Sequence, residues 1–343
     1  MGRGIWSAGS SRWSTVVAAT GALLCAPALV HAEQDHRQAY SRPETVPYPK
    51  DNAFSPARAE LGRTLFFDPR LSAKGIMSCG TCHNPSFSWG DGLPKAVGHG
   101  METLGRRTPT ILNLAWASSL FWDGRAATLE EQALGPIQAP GEMNLPIGDL
   151  MGRLGELPEY KKLFDAAYPG EAVSPKTVAK AIATFERGVV SSQAPFDRWI
   201  GGDEKAISVR AKRGFEVFNT RGACNACHSG WRLTDDSFHD IGLAGDDRGR
   251  GALLDDIEVL QFAFKTPTLR NADRRAPFMH DGSKKTLEEV VAFYNRGGDV
   301  ERPSLSSEIR PLGLSSDEQR DLVEFLRTLT SPDAAVELPA APL

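Results

Sequence analysis

The sequence predicts a mainly α chain made of two similar halves with long loops. Three observations predict it. Helix-start signals recur along the chain, each followed by apolar residues at helical spacing. Alternating apolar and polar runs, the mark of half-buried strands, are scarce. An apolar helical segment also occurs twice, as Gly62-Arg63-Thr64-Leu65-Phe66-Phe67 and Gly214-Phe215-Glu216-Val217-Phe218-Asn219, each shortly before a Cys-x-x-Cys-His run.

Taken in order, Pro56 to Phe67 reads as a helix and Thr128 to Leu134 as a short one. Ser174-Pro175 supplies a capping hydroxyl and a first-position proline for a helix reaching about Val190. Lys205 to Phe218 follows. Thr286 with Glu289 forms a capping box, opening a helix to about Asn295 that Gly297-Gly298 closes. Ser316 with Gln319 opens the last helix, which ends near Thr330. Residues 33–50 and 332–343 read as Pro- or Ala-rich tails. The two halves are expected at 33–198 and 199–331.

Composition bounds the class. The 343 residues are 41% hydrophobic and 24% charged, which fits a soluble globular chain and excludes disordered and collagenous ones. That length suffices for two modest cores. A net charge of −4 and a pI near 6.0 leave no basic footprint for nucleic acid.

Residues 1–32 carry Arg3 and Arg12, no acid, an apolar run from Val16 to Val30, and then His31-Ala32. This is the pattern of a secretory signal peptide, with cleavage expected after Ala32 and the mature chain in the periplasm. The run is too short and too rich in Ala and Gly for a stable membrane span, the alternative being a retained anchor. Cys25 leaves with it, and Leu23-Leu24 before that cysteine does not read as a lipoprotein signal.

The four remaining cysteines stand as Cys79-Gly80-Thr81-Cys82-His83 and Cys224-Asn225-Ala226-Cys227-His228. Disulfides are the default for an exported chain, but Cys-x-x-Cys-His is the attachment signal for c-type haem. Two thiols three positions apart add to the two vinyl groups of one porphyrin, and the adjacent imidazole becomes the proximal iron ligand. A zinc site or two redox pairs would also use paired cysteines. Two complete motifs that account for every mature cysteine, behind an export signal, favour two covalent haems. The histidines are 145 residues apart, which suits two cytochrome c-like domains of one haem each rather than a tightly packed multihaem wire.

The chain resembles the bacterial di-haem cytochrome c peroxidases and the related MauG-type enzymes from about Ala53 to Thr330. The resemblance rests on Met77-Ser78-Cys79 to His83, Pro109-Thr110-Ile111-Leu112-Asn113 and Phe121-Trp122-Asp123-Gly124-Arg125-Ala126. Glu131 to Pro136 and Gly141-Glu142-Met143 continue it, followed by Phe264 to Asn271 and Ala276 to Gly282. It implies that the His83 haem is peroxidatic, that Glu142 moves protons as a general acid and base, and that Gln132 is the distal amide. His99, ten residues before Pro109, matches a distal ligand that gates the iron in the classical peroxidases and is absent from MauG-type enzymes; its other reading is a loop histidine. His228 would be proximal at the second haem.

The sixth ligand there falls fourteen residues beyond His280, on Tyr294. Classical peroxidases have Met at that position and MauG-type enzymes have Tyr; a phenolate favours ferric iron where a thioether raises the potential. Met279 is a rival outside the family's ligand slot. Trp122 matches the indole between the haems, where it relays electrons or a hole. Family members also bind calcium between the domains, partly through an Asn two residues before the Pro of the Pro-Thr block. Here that residue is Arg107, which offers no oxygen and repels the ion. Carbonyls near Arg275 and Pro277 are the remaining donors, so the sequence argues against calcium.

The function expected is a periplasmic peroxidase reducing hydrogen peroxide to water with electrons from a small cytochrome c or copper protein. His99 favours it. The alternative is a MauG-type enzyme that uses high-valent haem to oxidise residues of a partner protein, which Tyr294 favours. An electron-transfer cytochrome without peroxide turnover is the third reading, and Glu142 with Gln132 argues against it. The resemblance also makes a homodimer plausible.

Overall fold

The computed structural model describes residues 1–2, 37–332 and 336–339, so the expected signal peptide and its cleavage point lie outside the described residues apart from the first two. Helix α1 (Pro56–Phe67) starts where Ser55 Oγ accepts the Arg58 N–H and Pro56 fills the first position. A single turn, α2 (Cys79–Cys82), carries the first thiol pair. Helix α3 (Leu129–Gln138), capped by Thr128, runs past the expected end at Leu134 and takes Pro136 into its last turn. Then come α4 (Ile147–Gly155), α5 (Pro158–Ala167), α6 (Pro175–Arg187) and α7 (Pro195–Ile200). Of these, only α6 was expected from the sequence, and it stops at Gly188 rather than near Val190.

Helix α8 (Val209–Asn219) begins later than Lys205 because Ser208 Oγ takes the Ala211 N–H and so sets the cap. Helix α9 (Leu287–Asn295) follows Thr286 as expected. The last helix, α10 (Ser316–Thr328), is capped by Ser315 and Glu318, one residue ahead of the expected pair. Among the described residues the strands are β1 (Phe238–His239) and β2 (Phe264–Lys265), an antiparallel pair that sets His239 opposite Phe264.

The helices cross in two matched pairs. Gly62 of α1 meets α6, and Gly214 of α8 meets α10, so closely that a Cβ at either would lie 1.9 Å from a backbone oxygen, of Ala181 or of Asp321. Around the first crossing lies a core of Leu61, Leu65, Phe66, Tyr160, Phe164 and Ile182. Around the second lies a core of Phe196, Trp199, Phe215, Phe218 and Phe325. Each end of the described chain ties to the half remote from it in sequence. Tyr40 packs edge-on to Phe196 and Phe215 and donates to Asn219 at 2.7 Å, while Arg63 donates to the Glu337 carbonyl at 2.6 Å.

The repetition extends beyond the helices. Thr128-Leu129-Glu130-Glu131 and Thr286-Leu287-Glu288-Glu289 cap α3 and α9 alike. In each the second Glu reaches back to a backbone N–H just outside the cap, that of Ala127 at 2.8 Å and of Lys285 at 2.6 Å. Ahead of both caps the chain makes the same loop, bridged from Leu120 to Ala126 and from Phe278 to Lys284. Positive φ recurs at Phe121 and Gly124, and at Met279 and Gly282. Trp122 of the first loop therefore stands where His280 stands in the second.

Candidate haem-binding active site

Both Cys-x-x-Cys-His runs open onto one cavity of about 660 Å³, lined by Cys79, Cys82 and His83 as well as Cys224, Cys227 and His228. Among the described residues no disulfide joins these four cysteines. Burial pushes the Cys82 thiol up to about 11 and Cys224 up to about 12. Burial also pushes both histidines below the usual imidazole range. The ring of His228 is oriented by Nδ1 against the Leu233 carbonyl at 2.9 Å, and that of His83 by Nδ1 against the Trp89 carbonyl at 3.3 Å. A neutral imidazole tied through Nδ1 keeps Nε2 for a metal.

Glu142 and Gln132 line the same cavity. Gln132 projects from α3. Glu142 sits on a loop that backbone bonds fix, from Glu142 N to Ala139 O at 3.0 Å, from Met143 N to Pro136 O at 3.1 Å and from His99 N to Gly141 O at 3.0 Å. Burial raises the Glu142 carboxyl above the usual carboxylate range, and the Arg125 charge opposes that rise. Its negative charge acts in turn on Cys79 and Cys82, which places it with the first motif. His99 enters this region through its backbone: Gly98 borders the cavity, and the His99 side chain is not among the lining residues.

Tyr294 lines the cavity from α9. Burial, then the Cys227 and Cys224 sulfurs, pushes its phenol well above the ordinary range, which places it with the second motif. Met279 lines the cavity too, on the loop before α9, with φ +68°. Trp122 is locked in between. Its Nε1 donates to the Arg107 carbonyl at 2.9 Å, and its own carbonyl accepts from Lys265 N at 2.8 Å. The His280 ring stands edge-on to it at 6.4 Å and lies flat on Phe264 at 3.6 Å.

Sequence reasoning missed three cavity-lining groups. His280 sits in a recognised block, but nothing in the block shows its stacking. Glu186, on α6, is buried beside Cys79 with Oε2 unpartnered and a carboxyl pushed up to about 8 by burial. His239 pairs with Asp235 at 2.8 Å, which together with Cys227 pushes it up to about 10. The Cys227, Asp235 and His239 donor atoms lie within 4.8 Å of one another. That sulfur belongs to the haem motif, so the trio does not stand as a metal site of its own.

The residues present fit haem c at both motifs: paired thiols, an oriented neutral imidazole, and apolar wall residues that include Ile111, Leu112, Ile182, Leu269 and Leu312. They do not fit calcium at the expected place, because Arg107 is buried there and presents a cation.

A duplicated α fold that turns two such donor sets toward one cavity defines a two-haem c-type oxidoreductase. Comparison with known proteins agrees. Residues 56–205 match the family described as di-haem cytochrome c peroxidase. The methylamine utilization protein MauG of Methylorubrum extorquens AM1 is 52% identical over 306 residues, 88% of this chain and 86% of that protein. The cytochrome c551 peroxidase of Pseudomonas aeruginosa PAO1 is 34% identical over 92% of this chain and 91% of its own. A crystal structure of a MauG-like protein associated with microbial copper homeostasis superposes with a TM-score of 0.77 at 31% identity, covering 85% of this chain and 95% of that one. The chain belongs to the di-haem cytochrome c peroxidase and MauG family. It is an oxidoreductase of two c-type haems, acting with peroxide and a redox partner. No helix among the described residues is long and apolar enough to cross a membrane.

Proposed function

We propose that this enzyme works in the periplasm, reducing hydrogen peroxide with two protons and two electrons to two waters at the Cys79–His83 haem. Cys224, Cys227, His228 and Tyr294 would hold a second haem, which would supply the electron transfer to the first. The segments 33–198 and 199–331 are their respective domains. The observation that carries this reading is the placement of Glu142 and Gln132 on the cavity wall, with Glu142 electrically coupled to the first thiol pair. When bound there, haem iron supplies the redox chemistry that splits the O–O bond. Glu142 takes the proton from one peroxide oxygen and returns it to the other, so that the second oxygen leaves as water. The Gln132 amide holds the peroxide in line with that transfer. Trp122, fixed at both its indole N–H and its carbonyl, bridges the two haem sites as a relay. The electrons come from a small cytochrome c or copper protein, docked transiently over a small interface.

A second reading has a specific observation behind it. Tyr294 lines the cavity while the His99 side chain does not, which favours a MauG-type site that is open at rest and draws its electrons from residues of a partner protein. Electron paramagnetic resonance of the diferric enzyme separates the two. One high-spin and one low-spin haem, with Tyr294→Phe altering the low-spin signal and His99→Ala altering nothing, is the result expected of the open site. Two low-spin haems, one turned high-spin by His99→Ala, would instead establish a gated classical peroxidase. Unchanged spectra in Tyr294→Phe would remove Tyr294 as a ligand.

A further inference from the structure

Two cavity-wall cations that are not exposed to solvent, Arg107 and Arg275, pair with no protein carboxylate. Arg107 is 7% exposed and lines the cavity, and its Nε has no hydrogen-bond partner. Arg275 lines the same cavity and donates only to carbonyls, from Nε to Asn271 and from Nη2 to Thr268 and Arg270. Their neighbour Arg106 is different, being bound by Asp123 and Asp247 at 2.7 and 2.6 Å. Asp91, the one acid whose charge acts on Arg107, is engaged by the Thr108 hydroxyl at 2.6 Å and the Leu93 N–H at 2.9 Å.

The two guanidiniums also repel each other. Burial, then the Arg107 charge, pushes Arg275 down to about 9, and burial pushes Arg107 down too. The Arg107 backbone is held on both sides. Its N–H donates to the His280 carbonyl at 2.8 Å and its carbonyl accepts from Trp122, so its backbone ties the two loop repeats together. Such a wall calls for anions. A guanidinium presents a planar fork of donors that suits a carboxylate, and each haem c brings two propionate carboxylates into this cavity.

We propose that Arg107 and Arg275 form a carboxylate-binding pair that receives haem propionates and serves as the cation between the two haems, so that the enzyme needs no calcium. The proposal rests on the two-haem reading, so haem content per chain is measured alongside and must stay at two. The first test uses the wild-type holoenzyme dialysed against EGTA. Less than one calcium per chain, with the paramagnetic resonance spectrum unchanged by EGTA or by added calcium, is expected. The second is a spectroelectrochemical titration of Arg107→Leu and Arg107→Lys. Removing a cation beside a propionate stabilises the ferric haem, so the midpoint potential of at least one haem falls in Arg107→Leu, while Arg107→Lys stays nearer wild type. A stoichiometric calcium whose removal alters the spectrum overturns the proposal. So does an Arg107→Leu enzyme with two haems and unchanged potentials. Wild-type potentials that track added acetate would assign the pair to a solvent anion and overturn it too. Should Arg107→Leu fail to take up haem, the wild-type calcium assay and Arg107→Lys still decide.

Discussion

Replacing Glu142 by Gln tests the proton transfer with little else disturbed. The loop that carries it is held by backbone bonds, including those to Ala139, Pro136 and His99 and one from Ala73 N to Met143 O at 2.9 Å. An amide of the same shape leaves all of them in place and removes only the exchangeable proton. A positioned general acid/base contributes roughly 10²–10⁴ in rate, or about 3–5 kcal/mol of barrier. The second-order reaction of diferric enzyme with peroxide, followed by stopped-flow absorbance, should slow by that factor. The pH profile carries a second sign. The carboxylate form is the one that accepts the first proton, and burial raises its pKa, so the acid limb lies above the ordinary carboxylate range. Arg125 opposes that rise. Arg125→Gln therefore moves the limb to higher pH, whereas Arg125→Lys keeps the charge and holds it in place. A Glu142→Gln enzyme that reacts within about threefold of wild type would refute the assignment, as would an acid limb that Arg125→Gln moves down.

Two predictions concern the scaffold. Gly62→Ala and Gly214→Ala each force a Cβ to within 1.9 Å of a backbone oxygen, and overpacking of this kind should cost about 1–3 kcal/mol by denaturant unfolding. Gly148→Ala in α4 meets nothing within 4 Å and should instead stabilise by about 0.5–1 kcal/mol; equal effects at all three positions would discount the close crossings. Glu186 in the folded protein keeps its proton up to about 8, against 4.5 unfolded. Its contribution is therefore complete below 4.5 and is lost as pH rises through 8, up to about 1.4 kcal/mol per pH unit between them. Glu186→Gln should flatten this slope in unfolding measurements at pH 5, 6.5 and 8, and an unchanged slope would deny the group its role.

The sequence made some parts of this molecule legible for identifiable reasons. α1 matched to the residue because Ser55-Pro56 is a strong start and Asp68-Pro69 a strong stop. Both haem motifs were readable because the chemistry demands fixed spacing along one turn. α10 was misread by one residue because Ser315 and Ser316 stand side by side, and the choice between them depends on whether Glu318 or Gln319 reaches back. α4, α5 and α7 were passed over although two of them start with Pro. α4 and α5 do carry helical apolar stripes, Ile147, Leu150, Met151 and Leu154 in the one and Tyr160, Leu163, Phe164 and Ala167 in the other, but neither has a capping side chain to mark its start. In the site, Glu142, Gln132 and Trp122 fall inside recognisable blocks and Tyr294 at a fixed offset from one, and all four line the cavity. Glu186 has no such signal. It becomes conspicuous only when α6 is laid on α10, since five residues beyond the Ala181 contact places Glu186 in the first half and five beyond Asp321 places Leu326 in the second.

The same duplication explains how one fold holds two haem sites of different reactivity. α3 and α9 begin with the same cap and the same Leu, so their positions correspond one to one. The fourth residue is Gln132 in α3 and Val290 in α9; the eighth is Pro136 in α3 and Tyr294 in α9. All four line the cavity. In the second half the eighth position presents a phenol oxygen able to bind iron, and the fourth is apolar, with nothing to hold a polar substrate. In the first half the eighth position is a proline, which has no ligating side-chain atom. The fourth is an amide, and the loop that follows brings in Glu142. On the proposed reading, the helix position that would close the iron in one half would leave it open in the other, where Gln132 and Glu142 would meet peroxide. Trp122 and His280 differ at equivalent positions in the same way. The loop that offers an oxidisable indole in the first half offers, in the second, an imidazole stacked on Phe264 and pushed down to about 4 by burial. That imidazole is neutral at physiological pH and adds no charge beside Trp122. Differences at three aligned positions, together with the loop that carries Glu142, set the two halves apart at the cavity wall.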